Sequence, residues 1–191
     1  MTADWVTAIA TVGTFVVIAA SAVAALIQLR HMRGGNQIAA LTEIRETLES
    51  PEFEKALKYV HREFPRRLAD SDVRRRLLEP GPTPDEFIPI RTVTNFFEAF
   101  GAFVRRRIID PDIACDLFGP VVLANWEILA PYIANRRAAA NDPAYWENFE
   151  YFAALSKDWI RRHPGGTYPR RATRMPQPDY WPELSAERNC A

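Results

Sequence analysis

The sequence has little of what usually marks a function. Of its 191 residues, 2 are cysteines and 3 are histidines. Two cysteines exclude a disulfide scaffold. The absence of any Cys-x-x-Cys pair argues against a structural zinc site. His31, His61 and His163 are widely spaced and no Glu-x-x-His pair occurs, so the di-iron bundle pattern is missing as well. Serine is scarce, at positions 21, 50, 71, 156 and 185, and none lies in a Gly-x-Ser-x-Gly elbow. The pairs Gly34-Gly35 and Gly165-Gly166 stand in no phosphate-loop or dinucleotide-binding pattern. Cys115 lies in a short apolar stretch and reads as packing rather than as a nucleophile. An excess of one charge is lacking too: 24 Lys plus Arg balance 24 Asp plus Glu, which excludes a nucleic-acid binder resting on a strongly basic surface. No metal, cofactor or nucleic-acid partner is expected, and no set of residues points to an enzyme.

What is present begins at the N-terminus. From Trp5 to Leu29 no residue is charged. At ~1.5 Å per residue those positions reach roughly 37 Å as a helix, enough to cross ~30 Å of hydrocarbon with some tilt. Thr7, Thr11, Thr14 and Ser21 are tolerated there because their hydroxyls can bond back to the helix, and Trp5 and Gln28 suit the two interfaces. A cleaved signal peptide normally starts with a basic segment. Here Met1 to Asp4 hold no Lys or Arg, while Arg30 and Arg33 follow the run, so an uncleaved anchor is the better reading. Positive charge stays on the cytoplasmic side. The N-terminus is therefore expected outside the cell's inner or plasma membrane and residues 30–191 inside, with Cys115 and Cys190 as reduced thiols. Ala10/Thr14, Ala20/Ala24 and Ser21/Ala25 are small residues at the spacing that lets membrane helices pack closely, which makes self-association into a homo-oligomer an option.

The rest reads as all-α: no stretch alternates like a strand, and there is no internal repeat. Gly34-Gly35 should end or bend the first helix. Ile38, Leu41, Ile44 and Leu48 then recur at helical spacing. Ser50-Pro51 opens a helix carrying Phe53, Leu57, Val60 and Phe64, and Asp70 or Ser71 can cap a short one through Leu78. Thr83 and Glu86 resemble a capping box with Pro84 at the first helical position. Ile90, Val93, Phe97, Phe100, Val104 and Ile108 form an aromatic-rich core stripe that Phe96 and Phe103 widen and Asp110-Pro111 ends. A short helix over 112–118 should close at Gly119-Pro120. A longer one over 121–140, with Trp126, Leu129 and Ile133, should kink or split at Pro131. Asp142 is the expected cap of a last helix bearing Phe149, Phe152, Leu155 and Trp159. The expected organisation is a membrane anchor over 1–33 (span 5–29), a cytoplasmic bundle of five or six helices over 34–162, and a Pro-rich, mostly extended tail over 163–191, which holds five of the 15 prolines.

Arginine outnumbers lysine 21 to 3, in clusters such as Arg74-Arg75-Arg76, Arg105-Arg106-Arg107 and Arg136-Arg137. Most fall near expected helix ends, where the C-terminal dipole favours them. Contact with anionic lipid of the inner leaflet is the functional alternative. The acid pairs Glu43/Glu46 and Glu147/Glu150 read as solvated faces. Glu98 is different, because it sits three residues after Asn95 amid Phe96, Phe97, Phe100 and Phe103. A carboxylate there needs a partner, and Arg136 or Arg137 is the expected one. A ligand-binding or catalytic role for Glu98, the latter making the chain a hydrolase, is the sharper alternative.

The stretches Asn95-Phe96-Phe97-Glu98-Ala99-Phe100-Gly101, Arg107-Ile108-Ile109-Asp110 and Asp116-Leu117-Phe118 resemble a known block. So do Trp126 with Pro131-Tyr132-Ile133 and Arg136-Arg137, and Tyr145-Trp146-Glu147-Asn148-Phe149. Together with the N-terminal span, they resemble the bacterial domain-of-unknown-function family 4760 over roughly residues 5–160. The resemblance implies one membrane helix joined to a helical cytoplasmic domain, and implies no activity. Asn95, Glu98, Trp126, Arg136 and Arg137 form the candidate polar cluster. The expected role is a single-pass membrane protein whose cytoplasmic bundle mediates protein interaction or self-association. The alternative is a membrane-tethered sensor or effector in bacterial stress or phage defence, binding a small ligand between its aromatic helices.

Overall fold

The computed structural model describes residues 2–79 and 83–176. Its first element, α1, runs from Thr2 to Leu48 as one helix of 47 residues, about 70 Å long. The hydroxyls of Thr7, Thr11, Thr14 and Ser21 each donate to the carbonyl four residues back, at 2.8–3.0 Å. No hydroxyl among these four is left unbonded. None of the apolar stretch of this helix is covered by the rest of the chain. Gly34-Gly35 neither ends nor breaks the helix. Nothing lies near either glycine, and the cost of about 1 kcal/mol per glycine is small against a helix continuing on both sides. The chain joins the core beyond them: Ala40, Leu41 and Leu48 pack on it and Ile44 is buried, whereas Ile38 stays exposed.

Among the described residues six further α-helices follow: α2 (Pro51–Lys58), α3 (Phe64–Arg67), α4 (Ser71–Leu78), α5 (Ile88–Arg105), α6 (Pro111–Ala140) and α7 (Glu147–Arg162). No described residue is in a strand. Ser50 accepts from the Phe53 amide to start α2. A π-helical turn, Tyr59–Glu63, joins α2 to α3 immediately before Pro65, whose ring nitrogen has no hydrogen to donate. Asp70 caps α4 and Asp110 caps α6, each accepting from the amide two residues on.

Four sequence expectations change here. The Thr83/Glu86 capping box does not form. A short 3-10 turn, Asp85–Phe87, precedes α5 with no side-chain cap, because the Glu86 carboxylate is drawn to Arg67 (2.5 Å) and Arg76 (2.8 Å). Helix α5 stops at Arg105, and Arg107 adopts a left-handed conformation (φ 55°). The register then slips by one, burying Ile109 and exposing Ile108. Helix α6 runs unbroken over Pro120 and Pro131. It lies against α7, where Gly119 faces Ser156, and that packing holds the helix together where each proline removes one backbone bond. Asp142 bonds the Ala144 amide within a turn and does not start α7, which begins at Glu147.

Helix α7 lies against both α5 and α6. Aromatic rings fill the joint: Phe97 stacks on Phe149 at 5.0 Å, Phe100 meets Phe152 at 4.8 Å, and Phe53 meets Phe96 at 4.6 Å. Burying such rings is the largest contribution to a core of this size. Beyond α7, residues 163–176 are irregular and almost wholly exposed. Tyr180, Trp181 and Cys190 lie outside the described residues.

Candidate functional site

Three residues of α5 spaced three apart, Asn95, Glu98 and Gly101, share one face of the helix, and α7 begins on that face. A helix start leaves backbone N–H groups without partners, and a side chain just before it usually supplies the acceptor. Here that position holds Trp146, which has no acceptor to offer and adopts φ 55°. Glu98 supplies it instead, from a different helix. Its Oε2 accepts from the amides of Asn148 (3.1 Å) and Phe149 (2.9 Å), and its Oε1 accepts from Asn148 Nδ2 (2.6 Å). A carboxylate at this end also opposes the positive pole of the α7 dipole.

The flanking residues complete the joint. Trp146 Nε1 donates to Asn95 Oδ1 at 3.1 Å. Gly101 permits the approach, since a Cβ there would lie 2.1 Å from the Asn148 carbonyl oxygen. Arg105, one turn on, donates to Glu147 (2.6 Å) and Asn148 (3.1 Å).

Neither Arg136 nor Arg137 is the partner of Glu98. The α7 amides occupy the carboxylate, and both arginines have other acceptors. Arg137 Nε donates to the Tyr145 carbonyl (2.8 Å) and its Nη1 to Glu150 (2.6 Å). Arg136 Nη1 donates to the carbonyls of Leu77 (3.3 Å) and Glu79 (3.4 Å), closing the C-terminal end of α4. Trp126 stands edge-on to Phe149 at 5.1 Å, touching the first turn of α7 from the α6 side. Asn95, Glu98, Trp126 and Arg137 therefore all hold residues 145–150, and Arg136, whose guanidinium lies 5.9 Å over the Tyr145 ring, links them to the end of α4. Sequence reasoning passed over Gly101, Trp146 and Asn148 as members of this joint. The signal available was the Asn-x-x-Glu-x-x-Gly spacing together with a last helix whose preceding residue cannot cap it.

Two groups elsewhere are shifted by their surroundings. Burial raises the Tyr132 hydroxyl above its ordinary range, and burial likewise raises the Cys115 thiol. Cys115 is free and buried, 3.9 Å from Ser156 Oγ. Among the described residues, no group of three or more His, Cys, Asp or Glu side chains is placed to hold a metal ion.

Residues 15–159 match the model of a family described as Domain of unknown function (DUF4760). The chain belongs to that family. The match starts inside the apolar part of α1 and ends at Trp159 in α7, so it includes the whole joint and leaves out the tail. No curated protein and no solved structure matches the chain.

Proposed function

We propose that this chain is a single-pass membrane protein whose cytoplasmic bundle acts by binding, through protein interaction or self-association, and not by catalysis. One observation carries the reading. The apolar stretch of α1 is bare along its whole length, while α2 to α7 close a core with only the last turns of α1, from Ala40 to Leu48. A helix that leaves so much apolar surface uncovered needs another apolar phase, and its uncharged run, residues 5–29, is long enough to cross a bilayer. Helix α6 is also long and apolar, but a third of its apolar stretch is buried and it packs along α7, so it belongs to the bundle. Arg30 and Arg33 after the span support an N-outside, C-inside orientation in the inner or plasma membrane.

A small ligand between the aromatic helices has less support, because the rings of α5 and α7 are in contact with one another. Lipid contact through the arginine clusters is a secondary reading. Several of those arginines are already engaged: Arg74 donates to the carbonyls of Leu68 and Ala69 at the end of α3, and Arg161 pairs with Asp158.

The test is a pair of reporters fused after Ala191, one active only in the cytoplasm and one only outside, in cells whose membranes are then washed with alkaline carbonate. The cytoplasmic reporter alone should work and the protein should stay with the membrane. Release by carbonate, or activity of the external reporter alone, refutes the reading. Cross-linking through a cysteine placed at Ala20 or Ala24 should trap a dimer if the small-residue face self-associates, and a monomer at all cross-linker levels removes that part.

A further inference from the structure

Three arginines from three helices meet at one small cavity: Arg76 of α4, Arg91 of α5 and Arg136 of α6. Its volume is about 90 Å³. Asn95, Tyr145 and Trp146 complete the wall on the side of the α5–α7 joint. The charges do not cancel locally. Glu86 is shared between Arg76 and Arg67. Among the described residues neither Arg91 nor Arg136 has a carboxylate within bridging distance, and the only lining acid is the exposed Glu79.

Arg136 is the most telling of the three. Its guanidinium is held by two long bonds to backbone carbonyls and lies 5.9 Å over the Tyr145 ring. Its Nε is buried and has no acceptor. A buried donor left without a partner is destabilising, and more so when it is charged. Asn95 adds a second unused donor. Its Oδ1 is taken by Trp146, which fixes the amide so that Nδ2 is the free end. The cavity wall thus carries three guanidiniums and an amide donor against a single carboxylate, that of the exposed Glu79.

We propose that this cavity binds a phosphate monoester group through Arg91 and Arg136, with Arg76 and the Asn95 amide at its edge. Guanidinium forks match the geometry of phosphate oxygens and hold them by two parallel bonds. The volume admits a phosphate, whereas whole drug-sized ligands need roughly 300–1,000 Å³, so the remainder of the molecule stays outside. That group can come from a soluble phosphate ester or from a lipid headgroup of the phosphatidic acid kind. The site does not depend on how the bundle meets its protein partners.

The experiment uses the full chain and follows thermal unfolding by tryptophan fluorescence. In neutral detergent, inorganic phosphate is titrated against chloride at matched ionic strength. In a second arm the chain sits in phosphatidylcholine discs with or without phosphatidic acid and without free phosphate. Arg91→Gln is the deciding variant, because Arg91 is exposed and makes no bond whose loss would unfold the protein. Arg136→Gln accompanies it. A saturable rise of the midpoint with phosphate, weakened about tenfold by Arg91→Gln, supports the site with a soluble ligand. A rise confined to discs with phosphatidic acid, and again lost in Arg91→Gln, supports it with a lipid headgroup. If neither arm gives a stabilisation that depends on Arg91, the proposal is overturned.

Discussion

Replacing Glu98 by Ala removes the acceptor for two backbone amides and one side-chain amide at the start of α7. Loss of an ordinary N-cap side chain costs about 0.5–2 kcal/mol. Here the acceptor is charged, and such bonds contribute about 1.5–3 kcal/mol each before allowance for non-additivity. The carboxylate also interacts with the dipole of α7, which adds about 0.3–1 kcal/mol. Glu98 is half-buried, so water can enter and satisfy part of what is lost. The expected cost of Glu98→Ala is therefore about 2–4 kcal/mol, a large part of a stability that is typically about 5–15 kcal/mol. Glu98→Gln keeps an acceptor oxygen for the amides and loses the charge, so about half that cost is expected.

Urea unfolding of the full chain in detergent, followed by tryptophan fluorescence, measures both variants. Trp146 is buried in the joint and contributes to that signal. A double-mutant cycle identifies the partner. Glu98 with Asn148 should show a coupling above about 1 kcal/mol, and Glu98 with Arg136, which meet only through the turn carrying Tyr145, a smaller one. A Glu98→Ala protein within about 0.5 kcal/mol of the parent, or strong coupling to Arg136, would refute the capping role.

Gly101→Ala should cost more than about 3 kcal/mol or prevent folding, since the new Cβ would meet the Asn148 carbonyl at 2.1 Å. Gly34→Ala and Gly35→Ala, with open space around each glycine, should instead favour the helix by up to about 1 kcal/mol each; thermal melts of the three variants check both claims. In a Cys190→Ser background, burial and its raised pKa should protect Cys115 from a thiol-specific dye until urea unfolds the chain, and rapid labelling under native conditions would contradict this. Truncation after Gly166 should change the urea midpoint little, because the described part of the tail reaches the bundle by a single exposed bond, Thr167 to Asp116 at 2.9 Å; a drop of more than about 1 kcal/mol would make the tail part of the core.

The parts legible in the sequence were those governed by local chemistry. The uncharged run of α1, the Phe97/Phe100/Val104 stripe of α5 and the helix starts at Ser50 and Asp70 all fold as their neighbours in sequence dictate. Two of the errors share a cause. Thr83/Glu86 has the form of a capping box, and Glu86 is nonetheless drawn away by Arg67 and Arg76 from other helices. Gly119, Pro120 and Pro131 are helix breakers by propensity, yet α6 continues over them because α7 packs along it. Ile108 fits the helical period of α5, but the left-handed turn at Arg107 hands its core position to Ile109. In the first two cases a contact distant in sequence outweighed a local preference of about 1–3 kcal/mol, and in the third a local turn broke the helical period.

The polar cluster follows the same logic. The sequence pattern marked Asn95 and Glu98 as residues needing partners but could not say which, because a carboxylate among aromatics is equally well satisfied by a guanidinium or by backbone amides. The partner lies in α7, whose own N-terminal residue is a tryptophan that cannot cap it. The first turn of α7 thus depends on α5 for its acceptor, while α5 depends on α7 to satisfy Glu98. Neither arrangement is stable alone, so the two helices and residues 141–146 between them should form and open as one unit. Trp146 ties that unit to the arginine cavity, since its ring forms part of the wall and its N–H fixes the Asn95 amide. The carboxylate at position 98 consequently acts on the cavity without touching it, by holding in place the turn that carries Tyr145 and Trp146.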